Sequence, residues 1–461
     1  MLYPFTAPFY SSIGLAKHQL QNYCISTTIQ ITLVSERDSQ HQGAFLVTTR
    51  LGISTLLLML SLGVSSVSVA QRSIEDTLAD PAVLRGLAII DSSRAVSARQ
   101  LAQIGGIISP SGQELERALA VAALMQDIGL QNVEVTDSPN AIGRIPGTSG
   151  SSIVFIATLD DLATVAEHQK AAQNFPTIED DRVVGPGTNT SLTTIALLSA
   201  ARALIEQGFT PEHDIVFAAV AEEETGLRGM RALYEDYKDR AFAFVDVLGE
   251  GSGISYGALG IHWWRINAYG PPGHTLNGGL PNVNQAIARA VDRILQIPDP
   301  QRYEDRRTRL NVAILNSGAV FNHKPETGWF SLDVRSLDPE HIESMEQQTR
   351  AILENVSQEL GIRLEMVSVS KTPPGQIPGA LESSLVRNSL AISEYLGTSP
   401  RLSNAGSANL NVAIAGGTLS IGISSERGGR RGFADEWADI PVLQRTAKNV
   451  FLTAVTQANA Q

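Results

Sequence analysis

The stretch Ile215-Val-Phe-Ala-Ala-Val220, followed by Ala221-Glu-Glu-Glu-Thr-Gly226, decides the fold of this chain. An unbroken apolar run of this length is typical of a strand that is buried on both faces of a sheet. The three adjacent carboxylates after it repel one another, so they usually need a cation or a proton beside them. Open α/β sheets place their binding sites at this carboxyl edge. The stretch therefore predicts a buried strand ending in a functional site, with a solvated acidic loop as the plainer alternative.

Further strand and helix patterns alternate on both sides of this stretch. Short apolar runs at residues 153–156 and 243–247 predict two more buried strands. Between them, residues 192–204 predict a helix of small and apolar residues, and residues 109–114 form a turn that begins another helix, which ends at Gly129. Strands that alternate with helices predict an α/β fold with a parallel sheet covered on both faces.

The pattern changes near Gly260. The predicted order from there is strand, helix, strand, strand, helix, strand, at residues 264–269, 283–295, 310–315, 328–334, 341–360 and 363–370. This order is typical of the ferredoxin-like α+β fold. We therefore predict an α/β domain in two parts, residues 71–259 and 373–461, that is interrupted by an inserted domain at residues 260–372.

The N-terminal 70 residues predict a leader and a signal peptide. Residues 51–69 carry no charge, Arg50 precedes them, and small residues close them at Ala70. This pattern indicates a secretory signal peptide at about residues 47–70, and hence an exported protein, periplasmic or secreted. A membrane anchor is the alternative, but the most apolar part, residues 56–62, is short for a span. We expect no stable membrane span after cleavage.

Composition excludes several classes of protein. The chain has 461 residues, 35 Lys and Arg against 47 Asp and Glu, and a formal charge of -12. This charge leaves no basic footprint for a nucleic acid partner. The single cysteine, Cys24, excludes a disulfide framework and a thiolate zinc cluster.

Several short motifs occur together in one order: Asp160, Gly185-Pro-Gly187, Glu223-Glu-Thr-Gly226, Gly270-Pro-Pro-Gly-His274 and Asp333-Val-Arg335. From about residue 75 onward, the chain resembles the metallopeptidase family that includes aminoacylase, glutamate carboxypeptidase and peptidase T. The resemblance implies a zinc-exopeptidase-like, doubly wound α/β domain with an inserted ferredoxin-like dimerisation domain. It also implies two zinc ions that activate a water for attack on an amide bond next to a free carboxylate or amine.

The resemblance assigns roles to individual residues. Glu223 corresponds to the general base, Asp160 to the Asp that orients the first histidine ligand, and His274 to a histidine lent by the inserted domain. The implied metal ligands are Glu224 and Asp246, and the implied substrate-binding residues are Asn322 and Arg335.

Three other ligand positions of the family are lost in this chain. Thr158 stands where the family has the first histidine, Thr190 where it has the bridging Asp, and Gly432 where it has the last histidine. Threonine and glycine are poor zinc ligands. These losses predict an impaired enzyme, a pseudo-peptidase that forms a homodimer and binds a peptide or acyl-amino-acid ligand. The alternatives are an active metallopeptidase or amidohydrolase with a rebuilt metal site, and a purely structural dimer.

Arg430 and Arg431 lie in the segment that should deliver the last histidine. Their guanidinium groups either offset the charge of the lost zinc ions or belong to an ordinary solvated loop. The sequence alone leaves both interpretations open.

Overall fold

The computed structural model describes residues 74–459, except for residue 173 and residues 298–303. The predicted leader and signal peptide lie outside these residues. Within the described part of the chain, no helix has the length and apolar character needed to cross a bilayer.

The strands of the described residues are numbered in chain order. They are β1 Gln131–Val135, β2 Ala141–Ile145, β3 Ser152–Thr158, β4 Thr177–Glu179, β5 Arg182–Val184, β6 Asp214–Val220, β7 Ala241–Leu248, β8 Gly253–Ser255, β9 Gly257–Ala258, β10 Gly260–Tyr269, β11 Gly273–His274, β12 Arg309–Asn311, β13 Leu315–Ser317, β14 His323–Lys324, β15 Thr327–Ser336, β16 Arg363–Thr372, β17 Gly375–Gln376, β18 Arg401–Ser403, β19 Ser420–Ser424, β20 Gly428–Gly429 and β21 Trp437–Asp439.

The α-helices are numbered in the same way. They are α1 Ile74–Leu78, α2 Pro81–Ser92, α3 Arg94–Gly105, α4 Leu115–Ile128, α5 Ala163–Ala171, α6 Thr188–Glu206, α7 Arg228–Tyr237, α8 Val283–Leu295, α9 Pro339–Leu360, α10 Ser384–Tyr395, α11 Leu410–Ala415 and α12 Ile440–Gln457.

The main sheet has eight strands in the order β1-β2-β6-β3-β7-β19-β8-β18. The four central strands, β6, β3, β7 and β19, are parallel neighbours, as the alternating pattern predicts. The flanking pairs β1–β2, β2–β6 and β19–β8 are antiparallel, so the prediction of a parallel sheet is wrong at its margins. The short connection between β1 and β2 explains one such pair, because parallel neighbours need a long crossover.

Helices cover both faces of the main sheet. Ile153 and Phe155 of β3 belong to a core with α2, α3, α4, α6 and α12, whereas Val154 and Ile156 belong to a core with α7 on the other face. This alternation follows from the two-residue period of a strand, and it makes β3 apolar throughout. The predicted doubly wound α/β fold is confirmed.

The inserted unit is a separate antiparallel sheet. Its strand order is β12-β15-β10-β16, and α8 and α9 pack on one face of it through their own apolar core. Read from β16 to β12, these are the fourth, first, third and second strands of a β-α-β-β-α-β unit, which is the ferredoxin-like arrangement. The two chain segments that connect this unit to the main sheet lie side by side, since β9, which precedes the unit, pairs with β17, which follows it. The exact domain bounds stay a prediction.

The predicted strand at residues 310–315 is two strands in the structure. Both β12 and β13 pair with β15, and the chain between them leaves the ladder. There the Ser331 hydroxyl accepts hydrogen bonds from the N–H groups of Ala313 (3.2 Å) and Ile314 (2.9 Å). This side chain replaces a backbone partner, so the N–H groups of the two exposed residues stay paired where the strand is interrupted.

A buried ion pair lies beneath the carboxyl edge of the main sheet. Arg117 Nη2 lies 2.6 Å from Asp161 Oδ2, and both side chains are almost fully buried. Arg117 also donates to the carbonyl of Leu159 at 2.7 Å. This arginine therefore connects α4 to the segment that follows β3.

We expect Asp161→Asn to lower the free energy of unfolding by about 3–5 kcal/mol, because it leaves the buried Arg117 without a counter-charge. The matched control is Glu167→Gln, which breaks the exposed pair with Lys170 and should cost less than about 1 kcal/mol. Chemical denaturation of both variants measures the difference. If both variants lose the same free energy of unfolding, the buried pair contributes no more to stability than the exposed one.

Candidate functional site

The carboxyl edge of the central strands gathers the predicted site residues. Thr158 ends β3, Glu223 and Glu224 follow β6, and Asp246 lies near the end of β7. Since these strands are parallel neighbours, their carboxyl ends meet at one edge. The acidic turn, residues 221–226, therefore lies at the edge where open α/β sheets have their binding sites.

Asp160 organises the backbone of the acidic turn. Its Oδ1 accepts the N–H of Glu223 at 2.8 Å, and its Oδ2 accepts the N–H of Glu224 at 3.0 Å and the Ser111 hydroxyl at 2.6 Å. Burial raises the pKa of Asp160 to about 6, although these hydrogen bonds oppose the rise. Within this chain, Asp160 holds the two glutamates in place.

A second buried carboxyl group supports the same turn, and sequence reasoning missed it. Glu114 Oε1 accepts the N–H groups of Gly112 (2.8 Å) and Glu222 (3.0 Å). Glu222 has a φ of 53°, a left-handed conformation that non-glycine residues rarely adopt. The hydrogen bond from its N–H helps to hold this conformation. The position of Glu114 as the last residue of the predicted turn at 109–114 was the available signal.

The two glutamates differ in their surroundings. Glu223 is half-buried beside Glu224, Asp160 and Asp246. Burial and then these negative charges raise its pKa well above its usual range. Glu224 Oε1 instead accepts a hydrogen bond from Arg431 Nη2 at 2.5 Å. The implied metal ligand is thus bound by a cationic side chain of the same protein.

Asp246 is linked to Thr158 by an amide side chain. Asp246 Oδ2 accepts the N–H of Leu410 at 3.0 Å, and Asn409 Nδ2 lies 3.4 Å from Asp246 Oδ1 and 3.3 Å from Thr158 Oγ1. All three linked side chains are buried, and burial raises the pKa of Asp246 to about 6. A neutral amide therefore lies where the resemblance expects ligands to converge on a metal.

The other two lost ligand positions lie near a helix N-terminus. Thr190 is buried in the first turn of α6. Gly432 has a φ of 91°, and its N–H donates to Glu436 Oε2 at 2.9 Å. Glu436 Oε1 accepts the N–H groups of Gly187 (2.8 Å) and Asn189 (3.3 Å). Glu436, whose pKa burial raises, thus ties the segment around Gly432 to the start of α6.

The two adjacent arginines have different roles. Arg430 pairs with Asp435 at 3.0 Å and lies over the ring of Phe433, whereas Arg431 binds Glu224. A third arginine, Arg427, was missed by sequence reasoning. Burial and then the charge of Arg431 lower its pKa to about 10, while Glu223, Glu224 and Glu436 oppose the change. Its position three residues after β19, at the same sheet edge, was a usable signal.

A small cleft of about 110 Å³ opens between the acidic turn and the ferredoxin-like unit. Glu223 and Glu224 line one side, and Trp263 and Arg335 line the other. Arg335 pairs with Asp333 at 3.0 Å and donates to the Ser407 hydroxyl at 2.6 Å. The structure therefore brings the predicted Arg335 to the same cleft as the glutamates.

His274 and Asn322 lie elsewhere. His274 Nε2 is 3.1 Å from Asn322 Nδ2, so these two predicted residues are together. His274 follows the far end of β10, whose first residues line the cleft, and Asn322 precedes β14, which pairs with β11 there. Ten residues of strand span about 30 Å. Within one chain, the structure does not bring His274 and Asn322 to Glu223.

The residues of the cleft do not fit a dinuclear zinc centre. Zinc in proteins is held by His, Cys, Asp and Glu side chains. In residues 74–172, 174–297 and 304–459, no group of three or more such side chains is arranged to hold a metal ion. Instead, a guanidinium contacts Glu224 and an amide contacts Asp246. The cleft is arranged for hydrogen bonding between its own side chains.

Comparison with solved structures shows the same fold in several peptidases. The aminopeptidase PepT of Bacillus cereus is 18% identical, with a TM-score of 0.60 over 78% of this chain and 97% of that one. Human carnosine dipeptidase 1 is 13% identical, with a TM-score of 0.62 over 81% and 100%. A dinuclear metal-binding peptidase of family M20 from Bacillus subtilis is 14% identical, with a TM-score of 0.54 over 79% and 98%.

Sequence comparison is more specific about the family. A search of curated protein sequences finds no match. The sequence profile of peptidase family M20/M25/M40, however, matches residues 161–448, which is more than half of the chain. The match includes the acidic turn, Asp246 and the whole ferredoxin-like unit. The predicted relationship is therefore confirmed, and this chain belongs to peptidase family M20/M25/M40.

Proposed function

We propose that this protein binds a peptide or an N-acyl amino acid in its cleft and does not hydrolyse it through a dinuclear metal centre. The observation that carries the proposal is the 2.5 Å contact between Arg431 and Glu224. A guanidinium neutralises a carboxylate, but it cannot coordinate a water or polarise a carbonyl as a metal does. The cleft therefore keeps groups for binding and lacks the means of activating water.

The ligand class follows from the groups around the cleft. Arg335 presents a planar donor group that suits a carboxylate. Trp263 Nε1 is buried and has no hydrogen-bond partner among the residues that the structure describes, so it is a donor for a ligand carbonyl. Glu223 on the opposite side suits an amine or an amide N–H. A carboxylate next to an amide, as in a dipeptide or an N-acyl amino acid, complements this arrangement.

One observation favours the alternative of an active metallopeptidase with a rebuilt metal site. Three carboxyl groups with raised pKa values, Asp160, Glu223 and Asp246, remain at one sheet edge. A bound cation would lower these pKa values. For this alternative to hold, Arg431 would have to leave Glu224.

We expect the purified protein, dialysed against zinc and then buffer, to retain well under one zinc per chain by elemental analysis. Calorimetric titration should show binding of a dipeptide or an N-acetyl amino acid, while product analysis shows no cleavage. Arg335→Met should weaken binding at least about tenfold, since it removes a charge-assisted hydrogen bond.

The matched control for the titration is Arg309→Met. Arg309 pairs in register with Arg335 on the neighbouring strand, but it is exposed and contacts Glu304. It should leave binding unchanged. Two tightly held zinc ions together with cleavage would favour the alternative function, and absence of binding by every tested ligand would contradict the proposal.

Homodimer formation is part of the proposal. His274 and Asn322 lie beyond the far end of β10, beside the exposed side chains of Leu276 and Phe321. A two-fold pairing of two chains would place this region against the partner's cleft and cover its apolar side chains.

We expect the full-length protein to sediment as a dimer at micromolar concentration, and Phe321→Asp to shift it to a monomer by placing a charge in an apolar contact. Leu119→Asp, at an exposed position of α4, is the control and should remain dimeric. A monomeric parent would contradict this part of the proposal.

Export is the remaining part, and it rests on the predicted signal peptide at about residues 47–70. Sequencing the N-terminus of the protein from its natural source should give Gln71 as the first residue. A mature protein that begins within residues 1–45 would contradict export by this signal.

A further inference from the structure

We propose that Arg431 is a built-in cation that binds Glu224 and, together with the charge of Arg427, excludes divalent metals from the carboxylates at this sheet edge. This inference deepens the proposed function and rests on its claim that no dinuclear centre forms. According to this inference, the two arginines keep divalent metals out of the site. The stability of the fold should then not depend on added metal.

The backbone determines where these side chains are placed. Arg427 accepts the N–H of Asp439 at 2.9 Å through its carbonyl, and β20 pairs with β21. At the other end, the Gly432 N–H is held by Glu436. The segment from Arg427 to Gly432 is therefore fixed at both ends against the start of α12.

A turn within this segment separates the two adjacent arginines. Arg430 has a φ of 57° and Gly432 a φ of 91°, both in the left-handed region. Arg430 extends to Asp435, and Arg431 extends to Glu224, which lies 207 residues away in sequence. One arginine is thus directed to a local loop residue, and the other to the cleft.

Charge explains why this arrangement opposes metal binding. Two guanidinium groups carry the same charge as one zinc ion, and Arg427 acts on Glu223, Glu224 and Glu436 at once. A divalent ion that bound Glu224 would have to displace Arg431 and then lie close to two like charges. Arg431 Nη2 also occupies an acceptor position on Glu224 Oε1 that a metal would need.

Buried Asp246, at the same sheet edge, has no need of a cation. Asp246 is hydrogen-bonded by Leu410 and Asn409. Within the described part of the chain, the buried Oδ1 of Asn409 has no partner, so this amide is held by its donor side alone. Hydrogen bonds at Asp246 and ion pairing at Glu224 together stabilise two carboxylates that the resemblance assigns to metal.

The test compares Arg431→Met with Arg430→Met, which makes the same chemical change one residue away in an exposed pair with Asp435. Thermal unfolding of the full chain is measured with zinc, with a chelator and with neither. We expect the midpoint of the parent and of Arg430→Met to be the same in all three conditions. Arg431→Met should unfold a few degrees lower, and zinc should raise its midpoint with increasing concentration, as expected for a ligand of the native state.

Two results would overturn the inference. One is a zinc-dependent rise of the parent's midpoint with Arg431 in place, and the other is an identical response of the two methionine variants. If Arg431→Met does not fold, Arg431→His replaces it, and a midpoint that zinc fails to raise would equally overturn the inference. Peptide titration of the parent separates the two proposals, because lost peptide binding with the expected zinc response would refute only the proposed function.

Discussion

Carboxyl groups gathered at one edge of a sheet need a compensating charge, and this constraint governs the cleft of the protein. Asp160, Glu223, Glu224 and Asp246 all lie where the parallel strands end. Burial raises the pKa values of Asp160, Glu223 and Asp246, and neighbouring negative charges add to the rise at Asp160 and Glu223. In this chain the compensation comes from backbone N–H groups, an amide and guanidinium groups, all supplied by the protein itself.

Carboxylates in and around the cleft also hold the surrounding backbone in place. Asp160 binds the N–H groups of the acidic turn, Glu436 binds those at the start of α6, and Glu114 binds the N–H of Glu222. These carboxylates act as structural acceptors, which is a role that does not depend on a metal. The scaffold of a peptidase family can therefore remain intact after ligand side chains are lost, because its polar edge is hydrogen-bonded internally.

The parts of this structure that could be predicted from sequence are those with local signals. The apolar run before the acidic turn indicates a buried strand because six residues are too few for a typical buried helix. The second half of the chain shows the ferredoxin-like order directly. That Thr158, Thr190 and Gly432 stand where the resemblance implies metal ligands was also visible in the sequence. The link from Thr158 through Asn409 to Asp246 was not, because Thr158 and Asn409 are 251 residues apart and meet only in the folded chain. Similarly, Arg430 and Arg431 look equivalent in the sequence. Only the turn at Arg430 in the folded chain directs one side chain to Asp435 and the other to Glu224.

The central claim, that an arginine occupies the place of a metal, is most directly tested by crystallography. Crystals grown with zinc, with X-ray data collected at the zinc absorption edge, distinguish bound metal from light atoms. We expect continuous density from the Arg431 guanidinium to Glu224 and no anomalous peak between Glu224 and Asp246. Anomalous peaks at that position, with Arg431 displaced from Glu224, would contradict the claim.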